Sequence, residues 1–326
     1  MSFKQSKPRG RAASAFDRLR GRGQSGSEPE PPARPEHSDL DRWLTPLFGE
    51  RLEEIESGLV EGDEAGWGLF RELDDDLWAL LLTLEYDDFP GIRSFLPALP
   101  PRSIQEKWNG ASGPALAAQS VAFYRKLKEI QGRFGQPGLA DAKVLDVGCG
   151  WGRLTRMLAR DLKPGNLYGC DPVEEILDVC RETGVPARLE RSEFLPERFP
   201  FETDFDLIFA FSVLTHVSEP AAKAALRAAA KSLEPGGLFV FTIRPASYFD
   251  VNPLMAEAAG RLGSPYVFVA HPAEDHPQYA GEEMTYGESI ITLPWIEEHS
   301  SDEFEITDVA MMTADIYQVV VTLRKK

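Results

Sequence analysis

The chain has 326 residues and a formal net charge of -17, enough length for one large domain and a smaller one. Residues 1–23 hold seven Lys/Arg against one Asp, net +6, so the remainder carries -23 and offers no basic face for nucleic-acid phosphates. No run of eighteen apolar residues occurs, the N-terminus lacks an apolar signal core, and Cys149, Cys170 and Cys180 show no metal-ligand spacing. Composition thus points to a reduced, cytoplasmic protein without a membrane span.

Residues 1–38 are rich in Gly, Ser, Pro and Arg with no apolar period, and read as a disordered tail. Their basic side chains offer contact with an anionic membrane surface or nucleic acid, but a solvated tail is the reading the composition favours. A helical region follows over 39–135. Thr45 before Pro46 reads as an N-cap with proline at the first helical position, opening a helix through Leu47, Leu52, Ile55 and Leu59. Glu64 to Glu85 reads as one helix with Leu69, Leu73, Leu77, Leu80, Leu81 and Leu84 on a single face and Asp74, Asp75 and Asp76 mostly outward. Asp87 to Pro101 is a proline-punctuated connection. Ile104 to Ile130 reads as helices broken at Asn109-Gly110 and Gly113-Pro114.

The stretch K-V-L-D-V-G-C-G-W-G from Lys143 to Gly152 organises the rest. Val144, Leu145 and Val147 suit a buried parallel strand, which the glycines at 148, 150 and 152 end in a turn before a helix over 153–162. Residues without a Cβ let backbone approach a ligand closely, and a helix start favours an anion. Asn166 to Cys170 reads as the next strand and ends at Asp171, placed as an acid that takes both hydroxyls of a ribose. The dinucleotide fingerprint G-x-G-x-x-G asks for glycine at position 153, where Arg153 stands. The Tyr124/Lys128 pair has dehydrogenase spacing but precedes the nucleotide loop, so it reads as coincidence on a helix.

An acid at the strand end, Asp146, followed by G-C-G-x-G resembles the first motif of class I S-adenosylmethionine (SAM)-dependent methyltransferases. The resemblance extends to D-F-D-L-I-F-A over 204–210, F-S-V-L-T-H-V-S-E over 211–219, and L-E-P-G-G-L-F-V-F-T over 233–242. It implies an α/β fold: a Rossmann-like seven-stranded mixed sheet, strand seven antiparallel, with a helical N-terminal cap and a β-rich insertion over about 246–293 inside a methyltransferase domain spanning 136–326. It also implies SAM as cofactor, held by Asp146, Gly148, Gly150, Gly152, Arg153 at the carboxylate end, Asp171 with Pro172, Ser192 and Glu193 near adenine, and Phe211 at the sheet edge. Trp108, Asn109 and Tyr124 become candidate lid contacts on the same resemblance, with core packing the favoured role for the two aromatics.

His216 at the carboxyl edge of the sheet suits a general base for a hydroxyl acceptor, or alternatively caps the next helix. The absence of an [N/D/S]-P-P-[Y/F] segment after the fourth strand, and of the set of carboxylates expected at a metal-dependent catechol-type site, leans toward oxygen methylation without metal. Tyr266 to Ala270 and Glu288 to Thr292 read as a hairpin, and the loop between them is long enough to be functional. Its His271, Asp275 and His276 read as exposed loop rather than metal ligands. Tyr286-Gly287-Glu288 with Leu293-Pro294-Trp295-Ile296 resembles a segment of bacterial methyltransferases encoded with glycosyltransferases, which implies a sugar, glycan intermediate or other small-molecule acceptor. Phe304 to Met311 and Tyr317 to Leu323 alternate as the last two strands, the final one antiparallel. Two rival functions stay open: a non-catalytic SAM-binding scaffold and an NAD-linked oxidoreductase.

Overall fold

The computed structural model describes residues 41–60, 62, 64–270 and 285–326. The basic tail and the loop carrying His271, Asp275 and His276 lie outside the described residues. Helices α1 (Asp41–Gly58), α2 (Asp75–Thr83), α3 (Pro90–Phe95), α4 (Arg102–Asn109) and α5 (Gly113–Phe134) precede strand β1 (Val144–Val147). Then come α6 (Thr155–Leu158), β2 (Leu167–Asp171), α7 (Glu174–Thr183), β3 (Arg188–Arg191), β4 (Phe205–Ala210), α8 (Glu219–Ser232) and β5 (Leu233–Ile243). A short α9 (Pro253–Glu257) and the hairpin β6 (Tyr266–Ala270) and β7 (Gly287–Ile291) form the insertion, followed by α10 (Leu293–Ser300), β8 (Phe304–Met311) and β9 (Val319–Lys325).

Seven strands make one sheet in the order β3-β2-β1-β4-β5-β9-β8. β1 to β5 pair in parallel, and β9 runs antiparallel to both β5 and β8. Every residue of β1 and β2 is buried, as parallel strands covered on both faces require. The carboxyl ends of β1, β2 and β4 therefore open at one edge, where the chain crosses over from one half of the sheet to the other.

The helical N-terminal region shares a core with the sheet. Trp78, Phe123, Leu127 and Ile130 pack in one cluster with Val144, Leu207 and Val240. At that seam Arg160, wholly buried, donates to the carbonyls of Phe70 (3.1 Å) and Leu73 (2.8 Å) and pairs with Asp75. Here the structure departs from the sequence reading of a continuous helix. The segment 64–85 splits into a 3-10 turn (Glu64–Phe70) and α2, because Asp74 caps α2 by accepting from the backbone N–H groups of Asp76 and Leu77. Of the three acids, Asp74 and Asp76 are exposed, Asp76 pairing with Arg125 at 2.7 Å, and Asp75 alone turns toward the buried arginine. Helix α1 also begins before Thr45 and carries Pro46 inside it, with Leu47 69% exposed. At the sixth helical position Pro46 lies past the turn whose N–H groups are unpaired, so it removes one i→i−4 hydrogen bond from the ladder.

The breaks at Asn109-Gly110 and Gly113-Pro114 fall where expected: Gly110 caps α4 at φ 71°, and Pro114 sits in the first turn of α5. The predicted hairpin pairs as β6 with β7, from Tyr266 opposite Ile291 to Ala270 opposite Gly287. Its second strand also docks on the segment after β4. Ser218 donates to Thr285 O, Gly287 to His216 O and Ser289 to Thr215 O, each at 2.9 Å. This backbone seam positions the insertion over the sheet edge.

Candidate active site

A cleft of about 720 Å³ opens at the carboxyl ends of β1, β2 and β4. Of the residues singled out in the sequence, Asp146, Gly148, Gly150, Arg153, Asp171, Pro172, Ser192, Glu193, Phe211 and His216 all line it. Gly152 does not. At φ 78° its missing Cβ would lie 2.7 Å from Val185 Cγ2, so this glycine lets the loop close on the segment after α7 rather than on a ligand. Trp108 and Asn109 line the cleft, whereas Tyr124 is buried in the helical region, its hydroxyl bound to Asp161 and Arg160. Tyr124 thus takes the core-packing role favoured for it, not that of a lid contact.

The glycine loop is held from the neighbouring strand. Gly148 and Cys149 donate to Cys170 O at 2.8 and 3.1 Å. Gly148 adopts φ 67°, and a Cβ there would meet Val213 at 2.5 Å; a side chain would push the segment after β4 away from the loop. Gly150 N–H donates to Asp171 Oδ2 at 3.1 Å, and Val173 N–H to Asp171 Oδ1 at 3.0 Å. Each carboxylate oxygen keeps a lone pair for a further donor, which is what a vicinal diol needs. Burial raises the Asp171 pKa to about 6, against the lowering effect of those two N–H groups.

Asp146 accepts from Thr155 Oγ1 at 2.7 Å. Burial raises its pKa to about 7, opposed by the Thr155 hydroxyl and the Arg153 charge. Arg153 is buried, donates to Gln119 Oε1 (2.6 Å) and Ser120 Oγ (3.2 Å) of α5, and lies 5.1 Å from the Phe211 ring centroid. The helix after the loop is only four residues long. The expected dipole at its start is correspondingly weak, and side chains carry the polarity instead. At the far end, buried Ser192, exposed Glu193 and half-buried Phe194 form the wall beside Pro172.

The other half of the cleft is assembled from distant segments. His216 Nδ1 lies 3.0 Å from Gly287 O and 3.5 Å from Glu288 Oε1, and its ring stacks on Tyr286 at 5.6 Å. A carbonyl only accepts, so Nδ1 carries the proton and Nε2 is the basic atom of the neutral ring. Glu288 is buried and accepts from the Tyr248 hydroxyl at 3.1 Å. Ser212, at the end of β4, sits at φ 58°, a conformation non-glycine residues tolerate only under surrounding constraint. That constraint is visible: its N–H donates to Thr242 Oγ1 (2.8 Å) and its hydroxyl accepts from Gln318 Nε2 (3.1 Å). Sequence reasoning did not single out Glu288, Tyr248, Arg244 or Gln318 as site residues. Arg244 carried a usable signal, a charged residue directly after a buried strand; Gln318 carried none.

Residues 144–237 match the family model described as a methyltransferase domain. The chain contains a class I SAM-dependent methyltransferase domain. Among curated relatives, a ubiquinone biosynthesis O-methyltransferase from Xanthomonas oryzae pv. oryzae is 31% identical over 166 residues, covering 49% of this chain and 66% of the relative. One from Xylella fastidiosa is 39% identical over 132 residues, covering 38% and 51%. The chain thus spans just under two thirds of the former and about half of the latter. A magnesium protoporphyrin IX methyltransferase from Synechocystis PCC 6803 with bound S-adenosylhomocysteine (SAH) aligns over 79% of this chain and 96% of that one, at 14% identity and a TM-score of 0.44, a loose likeness. Within the methyltransferase domain, the matched stretch ends in β5 and excludes the insertion. Among the described residues no helix is long and apolar enough to cross a membrane.

Proposed function

We propose that this chain transfers the methyl group of SAM to a hydroxyl of a small molecule, with His216 as the general base. When bound, SAM supplies a methyl carbon on a sulfonium that leaves readily as SAH. The chain fits that partner: Asp171 keeps one acceptor site on each oxygen for the ribose hydroxyls, the glycine loop admits close backbone approach, and Asp146 with Arg153 faces the amino-acid end. Pro172, Ser192, Glu193 and Phe194 would border the adenine. With SAM held there, His216 Nε2 would take the acceptor's hydroxyl proton as that oxygen receives the methyl group, SAH being the leaving group. Glu288 stabilises the imidazolium so formed, and the insertion keeps water from the acceptor.

The observation that carries this reading is the His216–Glu288 pair in the same cleft as the glycine loop and Asp171. Oxygen as the methylated atom is further supported by relatives that are O-methyltransferases. The sugar class rests on the Tyr286-Gly287-Glu288 segment. Three free, buried cysteines suit the cytoplasm.

Calorimetry with SAM and SAH tests the cofactor, and transfer from labelled SAM into a metabolite extract, read by mass spectrometry, tests the reaction. Micromolar binding with product formation is expected. Binding without any product would favour the scaffold reading, and binding of NADH in place of SAM the oxidoreductase.

A further inference from the structure

Arg244 directly follows β5 and lines the cleft on the side of His216. Its Nη1 donates to Tyr317 O at 3.3 Å and its guanidinium lies 4.3 Å from the Tyr248 ring centroid. Its Nε, by contrast, is buried and has no hydrogen-bond partner among the described residues. Leaving a charged donor buried and unpaired is costly, and Glu288 of the same cleft is bonded to Tyr248 and faces His216. A second orphan lies close in sequence to the Arg244 contact. Gln318, 2% exposed, lines the same cleft with its Oε1 buried and unpartnered, its Nε2 being used on Ser212.

On the acceptor side the cleft therefore presents an unsatisfied cationic edge and an unsatisfied carbonyl. The cofactor's own carboxylate has another cation to meet it. Strand order puts β4 between β1 and β5, so two strand spacings, about 10 Å, separate Arg244 from the glycine loop, where Arg153 already provides a cation.

We propose that the methyl acceptor is a hydroxy acid whose carboxylate seats on the Nε edge of Arg244, while its methylated hydroxyl faces His216 and a further hydroxyl donates to Gln318 Oε1. The planar guanidinium fork matches a carboxylate. A phosphate dianion would bring a second charge into a cleft that also holds Asp146, Asp171, Glu288 and Asp315, with one open guanidinium edge to meet it. This inference rests on the methyl-transfer reading above and narrows its substrate class to acids, sugar acids included.

The test uses the full chain with labelled SAM and a cell metabolite extract split by anion exchange into neutral and anionic pools, half of the latter treated with phosphatase. Methylated product is expected from the anionic pool and should survive phosphatase. Arg244→Gln should raise KM for that acceptor about tenfold or more, the loss expected for a hydrogen bond to a charged group, with kcat within a few-fold and SAH affinity unchanged. Arg244→Lys should fall between the two. Intact SAH binding shows that each variant is folded. Product from the neutral pool alone, a phosphatase-sensitive acceptor, or an unchanged KM in Arg244→Gln overturns the proposal. No product from either pool overturns the methyl-transfer reading itself, and the proposal with it.

Discussion

The two halves of the cleft are built differently. The glycine-loop half uses the ends of β1, β2 and β3, with contacts between neighbouring strands: Gly150 to Asp171, Gly148 to Cys170, Ser192 to Asp171. Its polar groups are backbone N–H groups, two deeply buried carboxylates and the buried guanidinium of Arg153. The half around His216 draws on the segment after β4, the residue after β5, the hairpin strand β7 and the approach to β9, and its key contacts join residues more than seventy positions apart. The first is a scaffold that many acceptors could share. The second is a set of side chains brought together from distant segments, and it is where we propose that acceptor choice resides.

That contrast can be broken from either side. The largest effect is expected from His216→Ala, which should lower kcat by roughly 10² to 10⁴, the usual worth of a general base, while calorimetry finds SAH affinity unchanged. A matching loss of SAH binding would instead place His216 in the cofactor half. Asp171→Ala should do the reverse, weakening SAH about 100-fold through two charge-assisted hydrogen bonds; titration at fixed pH checks it, and wild-type affinity would remove Asp171 from the cofactor site. Glu288→Gln comes next, with kcat down about tenfold at constant SAH affinity. Gly287 O still fixes the tautomer, so only the electrostatic support of the imidazolium is lost.

The smallest effect is the pH response. The pKa values of Asp146 and Asp171, raised to about 7 and about 6 by burial, mean that both must lose a proton to serve as full acceptors. SAH affinity should therefore weaken about fivefold from pH 8 to pH 6.5, as calorimetry across that range would show. The stability sign runs the other way. Folded pKa values above the unfolded ones make these groups stabilise the ligand-free fold most when protonated, below about pH 4, and that contribution disappears as pH rises through 6 to 7. Thermal melts with and without SAH should diverge more at pH 8 than at pH 6.5.

The strand positions were legible because a buried parallel strand leaves a dense apolar run, as in Val144 to Val147 or Phe205 to Ala210, and a following turn needs glycine. The helical region was less legible. Asp75 reads as a surface acid from its neighbours, yet it faces a buried arginine eighty-five positions away, a pairing no local pattern records. Tyr124 drew notice for its spacing with Lys128, and only packing showed that its hydroxyl serves Asp161 and Arg160.

Sequence by itself determined the nucleotide-binding half, because a strand, a glycine turn and an acid on the next strand interact through short-range geometry that their order along the chain already implies. Tertiary structure alone decided the acceptor half. Glu288 meets His216 because β7 backs onto residues 215–218 through three backbone hydrogen bonds, and a one-residue slip in that register would turn its side chain to the opposite face. Arg244 and Gln318 share a wall because β5 and β9 are neighbours in the sheet, which follows from the packing of the whole domain.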